Sequence, residues 1–296
     1  MIRGTQRWRV GCVVMLLLVT LPGVARGAQP PAPIEVFVSI LPQKYFVERV
    51  GGQRVAVSVM VGPGQSPATY EPTPNQLSRL GQARAYFRIG VEFEDVWMKR
   101  IAAINPGMRV IDLRHGIAVR QVDQPLGAPA TSGGAADPHV WTSPLLVKIM
   151  AATIRDTLSE LDPADQVEYG ANYQMFARDL DRLDHDIRTM LVGVHRRNFM
   201  VFHPAWGYFA DTYGLKQIPI ETGGKEPGAR SLAQVIETGR RERVKVIFVQ
   251  AQFSRRMAGT IAQALGARVV AVDPLAEDYL DNMRRVAAQF AEAMQR

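Results

Sequence analysis

Short apolar runs, rich in β-branched residues, punctuate the chain at near-regular intervals. In the first half they are Ile34 to Ile40, Val55 to Val61, Ala85 to Ile89 and Arg109 to Leu113; in the second, Phe199 to Phe202, Gln217 to Ile220, Val244 to Val249 and Ala267 to Val272. Runs of this length, bounded by Gly, Pro and polar clusters, read as strands, and the segments between them, such as Gln43 to Val50 and Pro74 to Leu80, read as helices. Strand and helix alternating in this way is the pattern of a parallel sheet. The expected fold is α/β, in two lobes that each carry a four-stranded parallel sheet.

A different period separates the halves. Tyr169, Tyr173, Phe176, Leu180, Leu183, Ile187 and Leu191 recur at steps of three and four, behind Asp162 as N-cap and Pro163 at the first helical position, with Gly193 at the far end. The spacing predicts one long α-helix over 163–193, about 45 Å at 1.5 Å per residue, joining a lobe at 34–162 to a lobe at 194–296. Such a connector is stiffer than extended hinge strands, so small lobe motion is expected. The Gly/Ala/Pro-rich stretch Gln121 to Ala136 reads as a flexible loop.

The first 27 residues follow another rule. Arg3, Arg7 and Arg9 precede an apolar run from Val10 to Leu21, and small residues at Ala25 and Gly27 suit cleavage there, so an exported, periplasmic protein is expected. The run is shorter than the roughly 20 residues a membrane span needs. Cleavage removes the single cysteine, Cys12, and with it disulfides and thiolate ligands; His, Asp, Glu and water remain for metal chemistry. It also strips Arg3, Arg7, Arg9 and Arg26 and no acid, lowering the formal charge from +7 to +3. That mild excess gives no reason to expect a nucleic-acid partner.

Five histidines can be weighed singly. His203, in FMVFHPAWGYF, and Asp273, in RVVAVDPL, each follow an apolar run directly and so stand at the carboxyl end of a predicted strand, the edge where open α/β sheets bind ligands. His139, in ADPHVWTSP, lies in a turn just ahead of a helix beginning near Ser143 and Pro144. Together they suggest a metal held between the lobes, although a structural histidine and a capping aspartate are open readings at each position. His115, His185 and His195 sit among polar residues and read as solvated. No Walker loop, strand-linked GxGxxG or GxSxG elbow is present, GGKEPG lacks the phosphate-loop spacing, and Glu92 and Glu94 suit water as well as acid/base work, so no enzyme is expected.

These motifs resemble the solute-binding proteins of zinc and manganese ABC importers, the TroA-like or ZnuA-like group. The resemblance runs through SILPQKYFVERVGG, GVEFEDVWMKRI, DPHVWTSP, HPAWGYFADTYGL, EPGARSLAQVIE and VDPLAEDYLDNM, in order along nearly the whole mature chain. It implies two lobes joined by a helix, a monomer that collects a divalent metal ion and passes it to permease subunits, and ligation by His139 from the first lobe and His203 and Asp273 from the second. Histidine at the third ligand position favours zinc over manganese. Relatives read approximately PHxYEP in the loop where this chain reads PATYEP, so Ala68 stands in place of the first ligand and a depleted, three-residue site is expected. Two alternatives remain: a diverged protein that binds a metal chelate or another small ligand, and a hydrolase using zinc-bound water. Gln250, in FVQAQF, replaces a frequent acid.

Overall fold

The computed structural model describes residues 1–2, 32–125, 135–221, 223–250, 252–253 and 255–295. Almost all of the expected signal segment, 1–27, and the middle of the 121–136 loop lie outside the described residues. The ends of that loop are joined by an antiparallel bridge between Gln121 and Ala136.

Strands β1 (Ile34–Ile40), β2 (Val55–Val61), β3 (Ala85–Arg88) and β4 (Arg109–Asp112) form one parallel sheet in the order β2-β1-β3-β4. Strands β5 (Asn198–Val201), β6 (Lys216–Pro219), β7 (Val246–Val249) and β8 (Arg268–Ala271) form a second, in the matching order β6-β5-β7-β8. Helices α1 (Leu41–Gly51), α2 (Pro74–Leu80) and α3 (Glu92–Ile104) connect the first set; α6 (Gly207–Tyr213), α7 (Ala229–Arg241) and α8 (Arg255–Leu265) connect the second, and α9 (Tyr279–Gln295) follows β8.

Between the sheets in sequence come α4 (Pro144–Leu161) and α5 (Gln166–Met190). The long helix thus begins three residues later than Pro163, because residues Pro163–Asp165 take a tighter 3-10 turn. Asp162 does not cap it. Its carboxylate receives the Tyr169 hydroxyl at 3.1 Å. Tyr169, Phe176, Leu180, Leu183 and Ile187 are fully buried at helical spacing, and this stripe packs α5 against α1, α4 and α9.

The same stripe joins the two sheets through one hydrophobic cluster. It runs from Phe37, Phe46 and Phe87 through Phe176 and Leu180 to Phe199, Phe248 and Phe290. Alternation along β5 and β7 sends Phe199, Val201 and Phe248 into this cluster, and Met200, Ile247 and Val249 into a smaller one with Val235 and Ile261 on the sheet's other face. Parallel strands buried on both faces explain why these runs are nearly continuous in apolar residues.

In such a sheet the strand order reverses between two neighbours, and their carboxyl ends frame a crevice. Here those pairs are β1 with β3 and β5 with β7. The loop after β2 is held at its far end by Thr73 and Gln76. Thr73 Oγ1 accepts from the Gln76 amide, Gln76 Oε1 accepts from the Thr73 amide, and Gln76 Nε2 donates to the Val59 and Met60 carbonyls. This fastens the loop that carries Ala68 beside the first crevice.

Candidate metal centre

A cavity of about 300 Å3 opens between the two crevices. His203, two residues beyond β5, and Gln250, directly after β7, reach it from the second sheet; Ala68 and Glu92 reach it from the first. His139 and His203 meet on its wall with their Nε2 atoms 3.2 Å apart and their rings at 75°. Two nitrogens on a tetrahedral zinc, each about 2.0–2.1 Å from it, stand about 3.3–3.4 Å apart. The pair is therefore spaced as two ligands of one ion.

The other ring nitrogens decide the chemistry. His139 Nδ1 lies 2.7 Å from Asp137 Oδ1 and His203 Nδ1 lies 2.5 Å from Glu221 Oε1. An ionised carboxylate only accepts, so each neutral ring carries its proton on Nδ1 and turns a bare lone pair at Nε2 toward the other. Two lone pairs at that distance repel unless a proton or a cation lies between them. Carboxylates behind metal-binding imidazoles also fix ring orientation and raise basicity.

Both rings are further held by aromatic neighbours. Phe253 stacks on His203 with centroids 4.9 Å apart, and Trp141 lies 5.1 Å from His139. The segment carrying His139 is bound to the second sheet's helices. Tyr208 of α6 donates its hydroxyl to the Asp137 carbonyl, Thr212 of α6 bonds Ser143, Trp141 Nε1 donates to the Pro274 carbonyl at 2.7 Å, and Tyr279 at the start of α9 donates to the Trp141 carbonyl. The resemblance has His139 reaching in from the first lobe, but these bonds run to elements of the second.

Arg120 completes the support, pairing with Asp137, Asp123 and Asp211. Burial pushes the Asp137 carboxyl up, but the His139 ring and Arg120 outweigh it and hold Asp137 below the usual carboxylate range. The Arg120 guanidinium lies against the Cα of Gly207, where a Cβ would collide with it. This is a physical reason for glycine in HPAWGYF.

The third expected ligand stands elsewhere. Asp273 lies two residues past β8, half-buried, and its Oδ1 accepts from the Leu275 amide at 2.8 Å; it lines neighbouring cavities rather than the one holding the imidazoles. Among the described residues no three His, Cys, Asp or Glu side chains group closely enough to hold one ion. His115, His185 and His195 are exposed. Glu94 departs from its open reading. It is fully buried, accepting from Ser39, Arg88 and the amides of Ile89 and Gly90. Glu221 and Asp137, which hold the two rings from behind, were not among the expected residues. Glu221 had the same signal as His203, a polar residue directly after the apolar run Gln217 to Ile220.

Two parallel sheets facing one cleft, with an oriented imidazole pair on its wall, define a solute-binding protein equipped for a metal ion. The chain belongs to the ZnuA family, described as zinc-uptake complex component A, periplasmic, whose model matches residues 36–293. It is similar to the high-affinity zinc uptake system protein ZnuA of Bacillus subtilis strain 168, 27% identical over 252 residues that make up 82% of this chain and 78% of that protein. It is also similar to zinc-binding protein AdcA of Streptococcus pyogenes, 25% identical over 280 residues, 85% of this chain and 54% of that one. A crystal structure of ZnuA superposes with a TM-score of 0.82 at 42% identity, covering 88% of this chain and 99% of that one. By name these relatives bind zinc or take it up. No helix among the described residues is long and apolar enough to cross a membrane.

Proposed function

We propose that the mature chain captures a divalent metal ion, zinc in preference to manganese, in the cleft and delivers it as a monomer to an ABC permease. His139 and His203 are the ligands. Asp273 serves as third donor once its carboxylate turns from the Leu275 amide toward the cleft. The first ligand position is empty of any donor because Ala68 occupies it, so the site is a depleted one. The observation that carries this reading is the pair of Nε2 lone pairs 3.2 Å apart, each ring fixed from behind by a carboxylate. Cleavage near Ala25 to Gly27 accompanies export, and the mass of the protein isolated from the periplasm checks that step.

Equilibrium zinc titration of the purified mature protein tests the proposal. His203→Ala is expected to weaken zinc binding by about a hundredfold or more, beyond the usual loss for an orienting partner; unchanged affinity excludes this site. Ala68→His places an imidazole on the facing wall and is expected to tighten binding by about tenfold.

A further inference from the structure

The cleft is larger than its ion. A cavity of about 300 Å3 equals the liquid volume of about ten waters and sits at the lower end of small-molecule pockets. Its wall offers the ion only two bare nitrogens, so two of zinc's usual four positions stay open, and one stays open even if Asp273 turns in. The facing wall, with Pro67, Ala68 and Val91, carries no nitrogen donor, and no Lys or Arg lines the cavity among the described residues.

One polar group of the cavity lining has no partner among the described residues. Gln250 is 4% exposed and lines this cavity, and its Oε1 makes no hydrogen bond among the described residues. A buried acceptor left unpaired costs about 1–3 kcal/mol, a cost that a ligand N–H would offset. The charges lining the cavity, Glu92 and Glu226, favour a cationic occupant.

Building on the proposed function, we infer that the site takes its ion as a one-to-one complex with a small amino-acid-type chelator. The chelator's amine, with a second donor where Asp273 stays bonded to the Leu275 amide, completes the coordination begun by His139 and His203. A zinc-bound amine keeps its hydrogens, and one of them donates to Gln250 Oε1. One carboxylate on a divalent ion leaves a single positive charge, which matches the acidic lining and needs no basic residue.

L-histidine is the probe, and equilibrium dialysis of the mature protein with zinc and radiolabelled L-histidine is the test. In solution histidine competes for zinc, so a protein that takes the bare ion loses zinc as histidine rises. The expected result is the reverse: zinc retention rises by about tenfold or more, with one histidine retained per zinc. Gln250→Ala is expected to lower histidine retention about tenfold, thermal unfolding serving as the control for folding, and Ala68→His is expected to remove the dependence on added histidine. Zinc retained without histidine and falling as histidine is added overturns the chelate inference and leaves the proposed function standing. Zinc retained under neither condition overturns both.

Discussion

The two sheets share one strand order yet finish their crevices in opposite ways. At the first, between β1 and β3, Glu94 fills the space and spends its oxygens inside the protein, on the Ser39 hydroxyl at 2.6 Å, the Ile89 and Gly90 amides at 2.8 Å each and Arg88 at 3.0 Å. Gln43 does the same for the end of β1, accepting from Ser39 and Ile40 and donating to the Phe87 carbonyl. At the second, Glu221 Oε2 beyond β6 and Gln250 Oε1 beyond β7 are buried without partners among the described residues, and the two histidine Nε2 atoms lie 3.2 Å apart. One crevice is satisfied by its own chain, and the other keeps acceptors unmet among the described residues. Topology creates both crevices, and hydrogen-bond accounting separates them.

Removing the two glutamates sharpens that contrast. Glu94→Ala strands buried amides and a guanidinium, and is expected to cost about 3–5 kcal/mol in a denaturant titration; a shift below about 1 kcal/mol would mean the crevice is not closed by this residue. Glu221→Ala removes a group already short of partners. Its unfolding free energy is expected to stay within about 1 kcal/mol, while zinc affinity falls about 10–100-fold as His203 loses its anchor. Equal stability losses in the two variants would erase the distinction.

The smallest effect concerns acid. Burial pushes the Asp112 carboxyl up, and its bonds to the side chain and amide of Arg114, with charge from Arg114 and Arg88, bring it below its ordinary value. The folded pKa lies below the unfolded one, about 3.9, so its contribution is fully present above that pH and disappears as pH falls through the folded value. Asp112→Asn should therefore lower stability slightly at neutral pH and flatten the acid limb of the stability curve. A limb as steep as that of the unmodified protein would assign it to other carboxylates.

Much of the scaffold was legible because apolar runs buried on both faces cannot be mistaken for surface. Ile34–Ile40 and Val55–Val61 agree with the structure to the residue, whereas the four-residue strands shift by one or two, since a flanking apolar residue such as Phe202 or Val272 is buried whether or not it pairs. The address of His203 was legible for the same reason, and that of His139 from the turn ahead of the helix at Pro144. The direction of a side chain was not. Asp273 stands past the carboxyl end of β8 as expected, and the turn made by Pro274 and Leu275 supplies an amide that bonds its Oδ1. Glu94 and Glu221 look alike in sequence as acids near strand ends, and only three-dimensional pairing tells the plug from the anchor.

The attachment of the His139 segment to α6 and α9 bears on how the ion leaves. In the proposed site the His139 segment is bonded to α6 and α9, while α4, which follows it, also packs on α1, so both lobes brace the imidazole pair. On the proposed function, letting the ion go means parting this braced pair, and the bond from Trp141 to the Pro274 carbonyl is the tie nearest the rings that could yield.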